Sequence, residues 1–143
     1  MIVLDASFIV KLVLEEEGSE TAATLLKEWI LGGETIKTVD IALPETLNAL
    51  WKHHIIIRDL DQDSLREAVR DLLMLWDKLS YTHSSELADD ALDIAVKHGI
   101  TIYDALYLAL AQRHSASLAT FDKKLKTTAN KLGIKTHPTP GQR

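Results

Sequence analysis

The 143-residue chain contains no cysteine, which excludes a disulfide framework and any thiolate metal site. Nor has it an excess of positive charge. Sixteen Lys and Arg against 21 Asp and Glu leave a formal net charge of −5, so general basic attraction does not hold it to nucleic acid. A nuclease remains open, because bound divalent metal reverses the sign of an acidic site. No apolar run approaches the ~18 residues that span a bilayer. "MIVLDASF" lacks the basic start and small-residue cleavage site of a secretory signal. A cytoplasmic address without membrane contact is therefore expected. Asn, Gln and Met are sparse, a composition compatible with a thermophilic source.

What is present describes one globular domain. With 46% hydrophobic and 26% charged residues, the chain has the make-up of an ordinary folded protein and the length for a single core. Residues 1–137 are expected to form that domain, and "PTPGQR" at 138–143 a flexible tail. "MIVLD" reads as a strand covered on both faces, and "FIVKLVL" as a short helix. Ala22, Leu25, Leu26, Trp29 and Ile30 recur at helical spacing until "GG" at 32–33. "TIKTVDIA" predicts a second strand, with Pro44 in the first turn of the next helix. Residues 61–79 predict a long amphipathic helix on the stripe Leu65, Val69, Leu72, Leu73, Trp76 and Leu79. A helix over 85–98, with Leu87, Ala88, Ala91, Leu92 and Ala95 inward, precedes another over 102–114. "ASLATFD" is strand-like, "KKLKTTANKLG" a basic helix, and "IKTH" a last extended piece. Strands alternating with helices predict an α/β domain with a mainly parallel sheet.

In such a sheet the functional crevice lies beyond the carboxyl ends of the strands. Asp5 ends the first strand and Asp122 the "SLATF" strand. Glu45 follows the second strand, and Asp104 starts the apolar helix "IYDALYLALA". Each has a structural explanation: helix caps for Asp5 and Asp122, a first-turn acid for Glu45, a capping-box member after Thr101 for Asp104. Together they are harder to explain that way. Two carboxylates ~4 Å apart repel by roughly 4 kcal/mol at an effective dielectric near 20, against a domain stability of about 5–15 kcal/mol. If the four converge, either some are protonated or a cation lies among them. Oxygen ligands without His or Cys favour Mg²⁺ or Mn²⁺.

The segments "IVLDASFIVKLVL", "LPETLNALWK", "TIYDALYLALA" and "LATFDKKL", in that order and spacing, closely resemble PIN-domain ribonucleases of the VapC toxin type. The resemblance runs from Ile2 to about Lys135. It implies a three-layer α/β/α sandwich around a mainly parallel sheet. It also implies an acidic pocket that binds Mg²⁺ or Mn²⁺ and hydrolyses RNA with metal-activated water, leaving a 5′-phosphate and a 3′-hydroxyl. On this chain the catalytic and metal-holding acids are then Asp5, Glu45, Asp104 and Asp122, with Ser7, Asn48 and Thr120 in support. The segment after the last motif is "KKLKT", where some family members carry a further aspartate, so a second metal has less to bind it. A cognate antitoxin that covers the cleft and a homodimer are the implied partners beside the RNA substrate.

Other readings stay open at this level. They are a PIN nuclease of RNA maturation without antitoxin, a phosphoacceptor signalling domain, and a non-catalytic PIN-like interaction module. A phosphoacceptor would usually show an adjacent acidic pair after the first strand, which this chain lacks. The six histidines show no i, i+4 metal pair and are expected at the surface or at helix ends. Trp29, Trp51 and Trp76 fall on apolar stripes and read as core, with a helix–helix or subunit contact the alternative for Trp51, while Tyr103 and Tyr107 read as packing residues. Lys11, Lys123, Lys124 and Lys126 read as a solvated basic face, with contact to RNA phosphates the alternative.

Overall fold

Ile2, Val3 and Leu4 are all buried, which a strand achieves only when both of its faces are covered. They form β1 (Ile2–Leu4), the middle strand of a five-stranded sheet in the computed structural model, which describes residues 1–142. The remaining strands are β2 (Ile36–Val39), β3 (Ser80–Thr82), β4 (Ser117–Ala119) and β5 (Thr136–His137). Their order is β3-β2-β1-β4-β5 and every pairing is parallel. All carboxyl ends therefore lie along one edge. The chain steps from β1 through β2 to β3 on one side, then returns to place β4 and β5 on the other. That reversal makes the β1–β4 gap the switch point, where the connecting loops diverge and leave a crevice.

Seven helices flank the sheet and complete the three-layer α/β/α sandwich: α1 (Ala6–Val13), α2 (Ser19–Leu31), α3 (Ala42–Lys52), α4 (Gln62–Lys78), α5 (Ser84–His98), α6 (Ile102–Arg113) and α7 (Lys123–Lys131). Every residue of α6 from Ala105 to Ala111 is buried. It lies on β1, β2 and β4 and is covered by α5, so an apolar surface all round is what its position requires.

Periodicity located the helices and misplaced some of their faces. The buried stripe of α5 is Leu87, Ala91, Ile94 and Ala95. Leu92, one residue and ~100° round from Ala91, is 53% exposed, and Ala88 is exposed too. Ile30 and Leu73 also face outward. Trp29 is buried against Phe8 and His137, whereas Trp51 is 48% exposed, so of its two readings the core one fails. His137, expected at the surface or a helix end, is buried in β5. After α3 the run "HHIII" forms a π-helical turn (His53–Ile57) closed by Arg58 in the left-handed region. Residues 140–142 form a 3₁₀ turn, with Gln142 Oε1 accepting from Thr139 N at 2.8 Å and contacting His137 Nδ1 at 3.0 Å. Of the expected flexible tail, Arg143 lies outside the described residues. Among the described residues, no single helix is long and apolar enough to cross a membrane.

Candidate active site

Asp5 leaves β1 and caps α1, so its carboxylate lies at the switch point. Its Oδ1 accepts from Phe8 N at 2.9 Å and from Ser7 Oγ at 2.7 Å, and its Oδ2 accepts from Thr120 Oγ1. Ser7 Oγ in turn accepts from Phe121 N at 2.9 Å, and Thr120 Oγ1 from Asp122 N at 3.0 Å. Each hydroxyl has one proton to give, and both protons go to Asp5. The result is a closed network tying the β1–α1 loop to the β4–α7 loop across the crevice. The Asp5 N–H reinforces it by donating to Ala119 O. Asp5 is only 4% exposed. Burial raises its pKa to about 6 although its three hydrogen bonds and their donors oppose the shift, and the Asp122 charge adds to it.

Asp122 caps α7 with Oδ1, accepting from Lys124 N at 2.9 Å and Leu125 N at 3.1 Å. Asp104 sits in the first turn of α6. Its N–H donates to Thr101 Oγ1 at 3.2 Å, so Thr101 is the helix cap expected of it. Its carboxyl is nonetheless half-buried and titrates above the ordinary range, first through desolvation and then through the Asp122 charge. Glu45, in the first turn of α3, is raised by burial and by the charge of Asp104. The acids thus influence one another in sequence: Asp5 with Asp122, Asp122 with Asp104, Asp104 with Glu45.

Tyr107 completes the arrangement, beyond the packing role that its helical spacing suggests. Its ring is buried and its hydroxyl donates to Glu45 Oε1 at 2.6 Å. Burial and the Glu45 charge push the phenol pKa upward, so it remains a donor throughout the physiological range. Its position three residues after Asp104 on α6 was the available signal. Asn48 lies one turn beyond Glu45 on α3 and is exposed. Asp40 brings a further carboxylate to the same sheet edge, at the end of β2. Its Oδ2 accepts from Ser84 N and Ser84 Oγ at 3.0 and 3.2 Å, which ties it to the start of α5.

Among the described residues, no three His, Cys, Asp or Glu side chains stand close enough to form a ready-made ligand set. The acids are gathered in pairs rather than in a closed shell. That suits Mg²⁺, which commonly binds through one or two carboxylates and keeps several waters, better than a fully protein-caged ion. The all-oxygen donor set and the raised pKa values of Asp5, Glu45 and Asp104 also fit a hard divalent cation.

A parallel α/β/α domain with acids strung along its switch point is the frame of a hydrolase that works on a charged substrate. The PIN domain model matches residues 2–131, and the chain belongs to the PIN-domain family. It is 39% identical over 127 residues to Ribonuclease VapC3 of Pyrobaculum aerophilum, covering 87% of this chain and 91% of that protein. Among solved structures, PAE2754 of the same organism superposes with a TM-score of 0.70 at 25% identity, covering 94% of this chain and 82% of that one. VapC20 of Mycobacterium tuberculosis, described as a sarcin–ricin loop cleaving toxin, superposes at 0.66 and 19% identity, covering 89% and 94%.

Proposed function

We propose that the chain is a divalent-metal-dependent endoribonuclease of the VapC type, the toxin of a toxin–antitoxin pair. The observation that carries the reading is the string Asp5, Asp122, Asp104 and Glu45, in which the charge acting on Asp5, Asp104 and Glu45 is that of another carboxylate. A scaffold gains nothing from such repulsion, whereas a cation site requires it. The match to Ribonuclease VapC3 over most of both chains supports the substrate class.

Asp5, Glu45, Asp104 and Asp122 would hold Mg²⁺ or Mn²⁺. A bound ion of this kind supplies Lewis-acid activation of water and neutralises charge on the phosphate. The protein's own contribution is orientation. Ser7 and Thr120 fix both oxygens of Asp5, and the first turn of α7 fixes Oδ1 of Asp122. Tyr107 fixes Oε1 of Glu45. Each donor is neutral, so the carboxylates are aimed without losing the charge that attracts a cation. Asn48, three residues on from Glu45 along α3, would be the further polar support of the site.

The antitoxin partner places Arg or Lys among these carboxylates, satisfying them with charge-assisted hydrogen bonds in place of metal. The chain also pairs with a second copy of itself, for which Leu47, Trp51 and Ile55, four residues apart and all outward-facing, provide an apolar stripe. The test of the function is incubation of purified protein with single-stranded RNA in Mg²⁺, Mn²⁺ or EDTA. Cleavage with either metal, 5′-phosphate ends and silence in EDTA are expected. A folded protein that neither binds these ions nor cuts RNA would refute the reading.

A further inference from the structure

Two of the three tyrosines are engaged by the fold. Tyr107 is buried and donates to Glu45 at 2.6 Å. Tyr81 stacks on Trp76 at 5.1 Å and 21° and meets His83 edge-on at 5.6 Å. Tyr103 is different. It is 58% exposed, and among the described residues neither its ring nor its hydroxyl has a partner. The packing role that its helical spacing suggests is therefore not the one it fills.

Its place on α6 relates it to the acids. A helix turns ~100° per residue, so Tyr107 lies between Tyr103, ~40° to one side, and Asp104, ~60° to the other. That sector is the one turned to the site: Tyr107 holds Glu45, and Asp104 exchanges charge effects with Asp122 and Glu45. Tyr103 is four residues nearer the N-terminus than Tyr107, ~6 Å along the axis. Helical side chains lean toward the N-terminus, which carries this ring past the end of α6 and over the rim. Its support is rigid, because Thr101 caps the helix and every residue from Ala105 to Ala111 is buried. A tyrosine has only two χ angles, so fixing the ring costs little.

We propose that the free face of Tyr103 stacks on a base of the RNA strand adjoining the phosphodiester that is cut. The proposal rests on the ribonuclease reading and adds how the strand is held. Four carboxylates on the rim and a net charge of −5 repel a phosphate backbone, so the grip nearest the site is best made to a part of the strand without charge. Every base has such a face, and in a single strand it is open to an aromatic side chain. Stacking there fixes the nucleotide next to the cut and so places the phosphate over the carboxylates.

The experiment uses a short single-stranded oligoribonucleotide that wild type cuts in Mn²⁺, together with versions carrying one abasic residue at each position in turn. Tyr103→Ala and Tyr103→Leu should lower kcat/KM about tenfold, whereas Tyr103→Phe and Tyr103→Trp, which keep a ring, should stay within about threefold of wild type. The loss in Tyr103→Ala should be the same at about 0.05 and 0.2 M salt, since a phosphate contact would weaken across that range and a stacked base would not. At one position beside the cut, removing the base should cost wild type about tenfold and the Ala variant less than about twofold. The side chain is exposed and Ala is a strong helix former, so thermal melts of the variants should match wild type. Wild-type cleavage by Tyr103→Ala would overturn the proposal and leave the ring to a protein partner. So would equal losses in the Phe and Ala variants, or abasic costs that are the same in wild type and Tyr103→Ala at every position. In all three cases wild type still cuts; a folded wild type that neither binds metal nor cuts RNA removes the ribonuclease reading, and this inference with it.

Discussion

Replacing Asp5 by Asn should stabilise the metal-free protein near neutral pH. In the unfolded chain Asp5 titrates near 3.8, and in the folded protein at about 6, chiefly because it is buried. The folded state therefore keeps its proton longer. Below pH ~4 both states are protonated and Asp5 costs nothing. Between pH 4 and 6 the unfolded state releases its proton first, and stability falls as pH rises. Above pH ~6 the loss is complete, at about 3 kcal/mol for a shift of roughly two units. An Asn keeps an oxygen for Phe8 N and Ser7 Oγ. Its amide turns to Thr120, whose own proton can pass to Ser7 Oγ, 3.1 Å away. Thermal melts in EDTA between pH 4 and 8 should show wild type losing several degrees relative to the variant, with most of the divergence below pH 6.5. Saturating Mg²⁺ should restore much of that loss in wild type by mass action and do little for the variant. Parallel melting curves in EDTA, or equal Mg²⁺ stabilisation of both proteins, would refute the reasoning.

Two further outcomes follow from the geometry. Tyr107→Phe leaves the ring in place but removes the donor to Glu45, so it should reduce cleavage by about tenfold to a hundredfold while the fold persists; a wild-type pH–rate profile and rate would show that the hydroxyl is only packing. Trp51→Glu puts a charge on the outward apolar stripe of α3 and should convert a dimer to monomer in sedimentation analysis with little change in circular dichroism. An unchanged sedimentation coefficient would move the dimer face elsewhere.

The gathering of acids at one sheet edge was more legible in the sequence than the surfaces around them, for physical reasons. Asp5 and Asp122 follow buried apolar runs that had to be strands, and a parallel sheet brings all strand ends to one edge. Their joint location therefore needed no tertiary detail. Tyr107 could not be read in the same way, because an aromatic at helical spacing looks like packing until its hydroxyl finds a partner far along the chain. Leu73 and Leu92 show the same limit: spacing gives the width of an apolar stripe, and the neighbours decide where it is centred. The "HHIII" run has no period at all, and its π-helical turn exposes isoleucines that composition alone would bury.

The most direct measurement compares wild type and Asp104→Asn on a mixed RNA substrate in Mg²⁺ or Mn²⁺, with folding checked by circular dichroism. Asp104 already has an intact cap in Thr101, and its carboxyl repels those of Glu45 and Asp122. Metal-dependent cleavage by wild type, lost in a folded and equally or more stable variant, is the predicted result. A variant that cuts RNA at the wild-type rate would show that Asp104 belongs to the helix rather than to the chemistry.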